Sequence, residues 1–206
     1  MPEELDPLEV IKGLMIKESV KDGNPIYNIE REFSQWIILH AEFFLKRYAQ
    51  GKGKHWIEKE RANTRLGLCG ELAFKLLLEF LEVPSVHNSP VIDQRLTKDY
   101  DFKIPTLGKI EIKTFKAYCR KVLVKVSEWH GNEYLVAWRL NEPPEQQFGN
   151  LQMLGWLTKE DIENTPTTPK GATKFNPYSD VKMIDMSKLR PNKTFITKLL
   201  KAKQQA

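Results

Sequence analysis

The residues best suited to chemistry in this 206-residue chain lie close together. Asp101 sits in Tyr100-Asp101-Phe102, and Glu111 and Lys113 follow as Glu111-Ile112-Lys113. Side chains of an extended strand alternate between faces, so Glu111 and Lys113 share one face while Ile110 and Ile112 take the other. Pro105-Thr106-Leu107-Gly108 separates the two stretches and reads as a hairpin turn, with Gly108 able to take positive φ. Register decides where Asp101 points. An odd-length turn, or a bulge at Gly108, brings it to the Glu111 face; a four-residue turn without a bulge sends it to the other. If all three share a face, two carboxylates meet at the mouth of a strand pair and offer oxygen ligands to a hard cation such as Mg²⁺. A lysine beside them can polarise an attacking water and steady a phosphate. Those are the parts that phosphodiester hydrolysis needs. The triplet alone has little specificity, since carboxylate-x-Lys recurs at Asp101-Phe102-Lys103 and Asp180-Val181-Lys182.

A second group lies upstream, in Arg65-Leu66-Gly67-Leu68-Cys69-Gly70-Glu71-Leu72-Ala73-Phe74. Residues 56–81 read as one helix, charged in its first half and apolar on most sides in its second. Such a helix is predicted to pack against a sheet, and Val83-Pro84 ends it. Gly67 and Gly70 each cost a helix about 1 kcal/mol relative to Ala. Three residues apart, they clear one face for a strand or a phosphate backbone. Glu71 stands where the helix turns apolar, so it needs a cation or a hydrogen-bond partner. Lys75, one turn on, is one such partner.

Taken together, residues 60–162 resemble the PD-(D/E)xK nuclease superfamily. The resemblance rests on order and context: a helix with Gly-Glu-Leu-Ala, then Tyr-Asp-Phe, then Gly-Lys-Ile-Glu-Ile-Lys-Thr, then strands ending near Gly155-Trp156-Leu157. It implies a restriction-endonuclease-like core and cleavage of phosphodiester bonds with one or two Mg²⁺ ions, Mn²⁺ being a substitute. Carried over, Asp101 and Glu111 match the metal-binding carboxylates, and the Ile112 carbonyl a further ligand. Lys113 matches the lysine that orients or activates water, and Glu71 the auxiliary helix acid, a catalytic residue and a further metal ligand. The residue before Asp101 is Tyr100 where the motif has Pro, and Asp99 competes for the role of strand acid. Compact nucleases of this kind are familiar from archaea and viruses.

The remaining elements must hold this site. A short helix is predicted over residues 7–17, a turn over 21–25 and a helix over 29–48. Strands are predicted over 100–104, 109–115, 122–126, 134–140 and 151–157, with a one-turn helix or turn at 127–130 and a helix starting at Thr158. Residues 165–178, with Pro166, Pro169, Gly171 and Pro177, read as a loop, and 194–206 as a short basic helix. The expected fold is α/β: a mixed central sheet flanked by helices, with extra N-terminal helices and a C-terminal helix. One domain accommodates the whole length, with an N-terminal helical embellishment (1–55), a catalytic core (56–162) and a loop and C-terminal extension (163–206).

Composition is that of an ordinary globular chain, 41% hydrophobic and 29% charged, with 10 Phe, 6 Tyr and 5 Trp, which excludes a disordered or fibrous polymer. The net charge of +5 suits a phosphate-rich partner without requiring one. Candidate backbone contacts are Lys52, Lys54, Arg61, Arg65, Lys116 and Arg120. The acidic start of the chain is not a signal peptide, and no apolar run spans a bilayer. An intracellular, cytoplasmic protein (in the host, if viral) with reduced Cys69 and Cys119 is expected. The histidines and cysteines show no zinc spacing, and no Walker-type phosphate loop is present. The reading is therefore a Mg²⁺-dependent nuclease on DNA, structure-selective or weakly sequence-selective. The alternative is a non-catalytic nucleic-acid-binding or assembly protein on the same fold. A homodimer would suit cutting of two strands, with the spare ends of the chain as its interface.

Overall fold

The computed structural model describes residues 14–21, 24–50, 58–92, 99–141, 150–173 and 178–205. In chain order these form β1 (Met15–Lys21), β2 (Asn24–Ile29), α1 (Arg31–Gln50), α2 (Glu58–Phe80), β3 (Val86–His87), β4 (Phe102–Ile104) and β5 (Gly108–Lys116). Then come β6 (Lys121–Lys125), β7 (Tyr134–Asn141), β8 (Asn150–Thr158), α3 (Lys159–Glu163), β9 (Thr167–Thr168), β10 (Val181–Asp185) and α4 (Asn192–Gln204). Seven strands make a mixed sheet in the order β1-β2-β8-β7-β5-β4-β3, in which β5 and β7 run parallel. The chain is thus α/β, a mixed sheet flanked by helices.

Each face of the sheet has its own core, as the alternation along β5 requires. Ile110 and Ile112 face the helices. There they join Ile37, Ile38 and Ala41 of α1, Leu72, Phe74, Leu77 and Leu78 of α2, and Phe195, Ile196 and Leu199 of α4. A fully buried side chain of this size contributes about 1.5–3 kcal/mol, so this layer supplies most of the driving force. Phe115 faces the other way, with Leu135, Ala137 and Leu157. That face is covered by a second sheet, β6-β10-β9, through Val122, Val124 and Ile184.

Helix α2 stops as its sequence requires. Glu82 takes positive φ (55°), and the Val83 N–H donates to the Leu78 carbonyl at 2.9 Å. This is the six-to-one bond of a left-handed helix cap. Pro84 follows, and the exposed Glu82 carboxylate meets Lys203 of α4 at 2.6 Å.

Three expectations are corrected. The stretch that begins at Met15 is a hairpin, β1 with β2, where the sequence suggested a short helix running to residue 17. That hairpin extends the main sheet through β2 and β8, with Tyr27 opposite Met153. The Pro-rich stretch contributes β9, which pairs with β10 through Thr168 and Val181. Within the described residues the two ends are not spare: β2 and β10 are sheet strands, and Phe195, Ile196 and Leu199 of α4 are wholly buried; residues 7–13 of the expected helix lie outside the described residues.

Candidate active site

The register question resolves through Gly108. Ile104 pairs with Gly108, Lys103 with Lys109 and Phe102 with Ile110, so the connection is three residues long and Gly108 belongs to the strand. Gly108 has φ +90°, the left-handed value that a three-residue hairpin demands. A second constraint acts there: a Cβ at position 108 would lie 2.7 Å from Cδ of Glu133. The Glu133 carboxylate accepts the Lys109 N–H at 2.6 Å. Glycine is needed both for the turn and for this close approach.

With an odd connection, Asp101 falls opposite Glu111. The Asp101 N–H donates to the Ile110 carbonyl, and Oδ2 of Asp101 accepts the Ile112 N–H at 2.7 Å. The carboxylate therefore takes over the edge of β5 where β4 ends. Asp101 is 2% exposed and Glu111 5%. Two carboxylates so buried require a cation nearby, and Lys113 supplies it: Nζ lies 2.6 Å from Oε1 of Glu111. Burial acts to lower the Lys113 pKa. The charge and hydrogen bond of Glu111, with smaller help from Asp101 and Glu128, outweigh it and raise the pKa above the ordinary lysine value. Lys113 is thus a fixed ammonium. It can orient water or a phosphate oxygen but is poorly suited to accept a proton.

Asn132 completes this face and was not anticipated. It is wholly buried, its amide donates to Oε2 of Glu111 at 3.4 Å, and its own carbonyl oxygen has no hydrogen-bond partner among the described residues. The signal was only an Asn after Gly131, at the turn into β7, where φ of Gly131 is +69°.

Glu71 approaches from the helical side. Gly70 lets α2 lie on β5: a Cβ there would meet Oγ1 of Thr114 at 1.9 Å and Cγ2 of Ile112 at 3.2 Å. Glu71 is 7% exposed, and Oε2 lies 3.3 Å from Nε2 of His87. The His87 ring stacks on Phe102 (centroids 4.3 Å apart, planes at 2°), and Phe102 meets Phe74 of α2. Beside His87, the Asn88 N–H donates to the Asp101 carbonyl at 2.8 Å. The structure thus groups Asp101, Glu111 and Lys113, and pairs Glu71 with His87 on the helix-covered side. His87 gave no signal in sequence, because a two-residue strand has no periodicity to read.

The candidate backbone contacts separate. Arg65 pairs with Glu42 of α1 across the two helices. Arg61 belongs to α2, while Lys52 and Lys54 lie outside the described residues. Lys116 and Arg120 are exposed. Lys116 lines a groove of about 560 Å³ with Asn63, Leu66, Thr114 and Tyr118, between the polar start of α2 and the end of β5. Gly67 has open space where its Cβ would be. Asp99, the competing acid, is exposed and precedes the hairpin.

The donor set fits a hard cation. Asp101 and Glu111 offer anionic oxygens, an ammonium already occupies the space beside Glu111, and the unpartnered Asn132 oxygen lies next to them. Among the described residues no three His, Cys, Asp or Glu side chains gather as a metal cluster. Two carboxylates with waters and a backbone oxygen such as that of Ile112 are the available ligands. Cys69 and Cys119 are both free thiols. Among the described residues no helix is long and apolar enough to cross a membrane. No family model, curated protein or solved structure matches the chain.

Proposed function

We propose that the chain is a metal-dependent nuclease with a restriction-endonuclease-like core, acting on DNA with Mg²⁺, for which Mn²⁺ can substitute. The observation that carries this reading is the three-residue connection at residues 105–107, which sets Asp101 opposite Glu111 with Lys113 on the same face. A divalent ion bound there would lower the pKa of a coordinated water and neutralise charge on the scissile phosphate.

The protein's own groups do the rest. Asp101 and Glu111 would hold the cation, and the Ile112 N–H fixes the Asp101 carboxylate in place. Asn132 orients Glu111. With a divalent ion on the carboxylates, the Lys113 ammonium, now 2.6 Å from Glu111, would be free to donate to the water or to a non-bridging phosphate oxygen. Glu71 and His87 act as positioning residues: they brace the strand pair that carries Asp101, through Phe102 and Asn88. In this reading the exposed Lys116 and Arg120, with the groove beside Tyr118, would follow the nucleic-acid backbone away from the cut.

The test is a cleavage assay on supercoiled plasmid, linear duplex, single strand and four-way junction with Mg²⁺, Mn²⁺ or EDTA. Metal-dependent cutting that Glu111→Ala and Lys113→Ala both abolish supports the reading, and the preferred substrate names the task. Tight duplex binding with no cutting under any metal would overturn it in favour of a binding protein.

A further inference from the structure

Helix α1 carries an apolar face that the other described residues leave exposed. Phe33 is 37% exposed, Trp36 44%, Leu39 57% and Phe43 62%. The opposite face, Ile37, Ile38, Ala41 and Leu45, is at most 4% exposed. So the helix is anchored on one side and apolar on both. Glu32, Trp36, Leu39, Phe43, Lys46 and Arg47 follow one another at three- and four-residue steps (Lys46 and Arg47 flanking the last), which places them along one stripe.

The order of charges along that stripe is informative. It begins with an exposed acid, Glu32, and ends with two exposed bases, Lys46 and Arg47, with the apolar residues between. Inverted about the point between Leu39 and His40, the stripe matches itself. Glu32 falls opposite Arg47, Phe33 opposite Lys46 and Trp36 opposite Phe43. An antiparallel pair of such helices related by a two-fold axis would meet acid with base at both ends and aromatic with aromatic between them. Self-complementarity of this kind is what an isologous interface requires.

We infer that the exposed face of α1 is a homodimer interface, in which two copies of this chain pack α1 antiparallel on α1 about the Leu39–His40 midpoint. The occupant is a second copy because the charge order answers itself; a generic apolar partner would not need acid at one end and base at the other. A 20-residue helix is about 30 Å long, and one such face is smaller than the roughly 800 Å² per partner of a standard interface. The dimer is therefore a weak one, with Kd on the order of micromolar. The inference is independent of the proposed nuclease activity.

Sedimentation velocity from about 1 to about 200 µM spans the range that such an affinity requires. Wild type should pass from monomer to dimer, less readily at high salt. Phe43→Glu should stay monomeric with an unchanged circular dichroism spectrum and melting temperature. Glu32→Lys and Arg47→Glu should each weaken the dimer about tenfold or more by opposing like charges, and the doubly reversed protein should recover it. A wild type that stays monomeric at every concentration, as it would if another segment or a different protein covered this face, overturns the inference. So does a double reversal no better than the single ones.

Discussion

Two glycines three residues apart in α2 should respond to the same substitution with opposite sign. At Gly67 an added Cβ has nothing within 4 Å. Gly67→Ala should therefore collect the helix-propensity gain of about 0.5–1 kcal/mol. At Gly70 the same methyl would lie 1.9 Å from Oγ1 of Thr114, and 3.2 Å from both Cβ of Thr114 and Cγ2 of Ile112. Rotating the Thr114 hydroxyl away leaves its Cβ, and Cγ2 of Ile112, still at 3.2 Å, and a β-branched side chain in a strand has few χ1 choices. Helix and strand must part, and overpacking of this kind costs about 1–3 kcal/mol. After the propensity gain, Gly70→Ala should destabilise by up to about 2 kcal/mol, so the two variants should differ by roughly 1–3 kcal/mol. For a chain of this length that is a separation of about 2–12 °C in melting temperature. Thr114→Ala supplies the control, since Oγ1 of Thr114 is buried without a hydrogen-bond partner among the described residues. Its removal should cost little and should relieve Gly70→Ala, giving a coupling of about 1 kcal/mol or more in a double-mutant cycle. Urea unfolding of the four proteins followed by circular dichroism measures it. Equal stabilisation by both Gly→Ala changes, or no coupling to Thr114, would refute the claim that Gly70 sets the helix–strand distance beside Glu71.

Two further predictions concern the frame around the site. Gly108→Ala should lower stability by about 1–3 kcal/mol, because residue 108 needs positive φ and the Glu133 carboxylate, 2.7 Å from the position of a Cβ, must also shift; thermal melts check it. Asp161 caps α3 through Thr158, and its hydrogen bonds to Arg190 hold its carboxyl down from 3.8 to about 2. A depressed carboxylate stabilises the fold fully above its unfolded value and loses that effect as pH falls toward the folded one. Asp161→Asn should therefore cost on the order of 1 kcal/mol at neutral pH, after allowance for partial exposure, and should flatten the loss of stability between about pH 4 and pH 2.

Much of the core arrangement could be read from residue patterns alone. Alternation through Ile110, Glu111, Ile112 and Lys113 defined β5 to within a residue at each end. The polar-to-apolar change along α2 placed Glu71 at the buried edge of the helix. Register could not be read, because it turned on whether Gly108 counts as turn or strand, and one residue decides the face of Asp101. The partner of Glu71 was hidden for a different reason: His87 reaches it across 16 residues of sequence, from a strand too short to show a period. Lys75, the local candidate, pairs instead with Glu79. The ion pair of Arg65 with Glu42 was hidden too, since it spans two helices and no local pattern records it. The β1–β2 hairpin was missed although Asp22-Gly23, a strong hairpin pair, stands between its strands. The helix expected over 7–17 overlaps the start of β1 at Met15.

The central claim is that Asp101 and Glu111 form one cation site in which Lys113 is the resident counter-ion. Titration of the protein with Mn²⁺, read by electron paramagnetic resonance, tests it without reference to catalysis. Wild type should bind saturably, and Asp101→Asn and Glu111→Gln should each weaken binding about tenfold or more through loss of an anionic ligand. Glu71→Gln should bind as wild type does. Lys113→Ala should bind more tightly, because the ammonium 2.6 Å from Glu111 no longer competes. No saturable binding at millimolar Mn²⁺, or binding that Glu111→Gln leaves unchanged, would contradict the account.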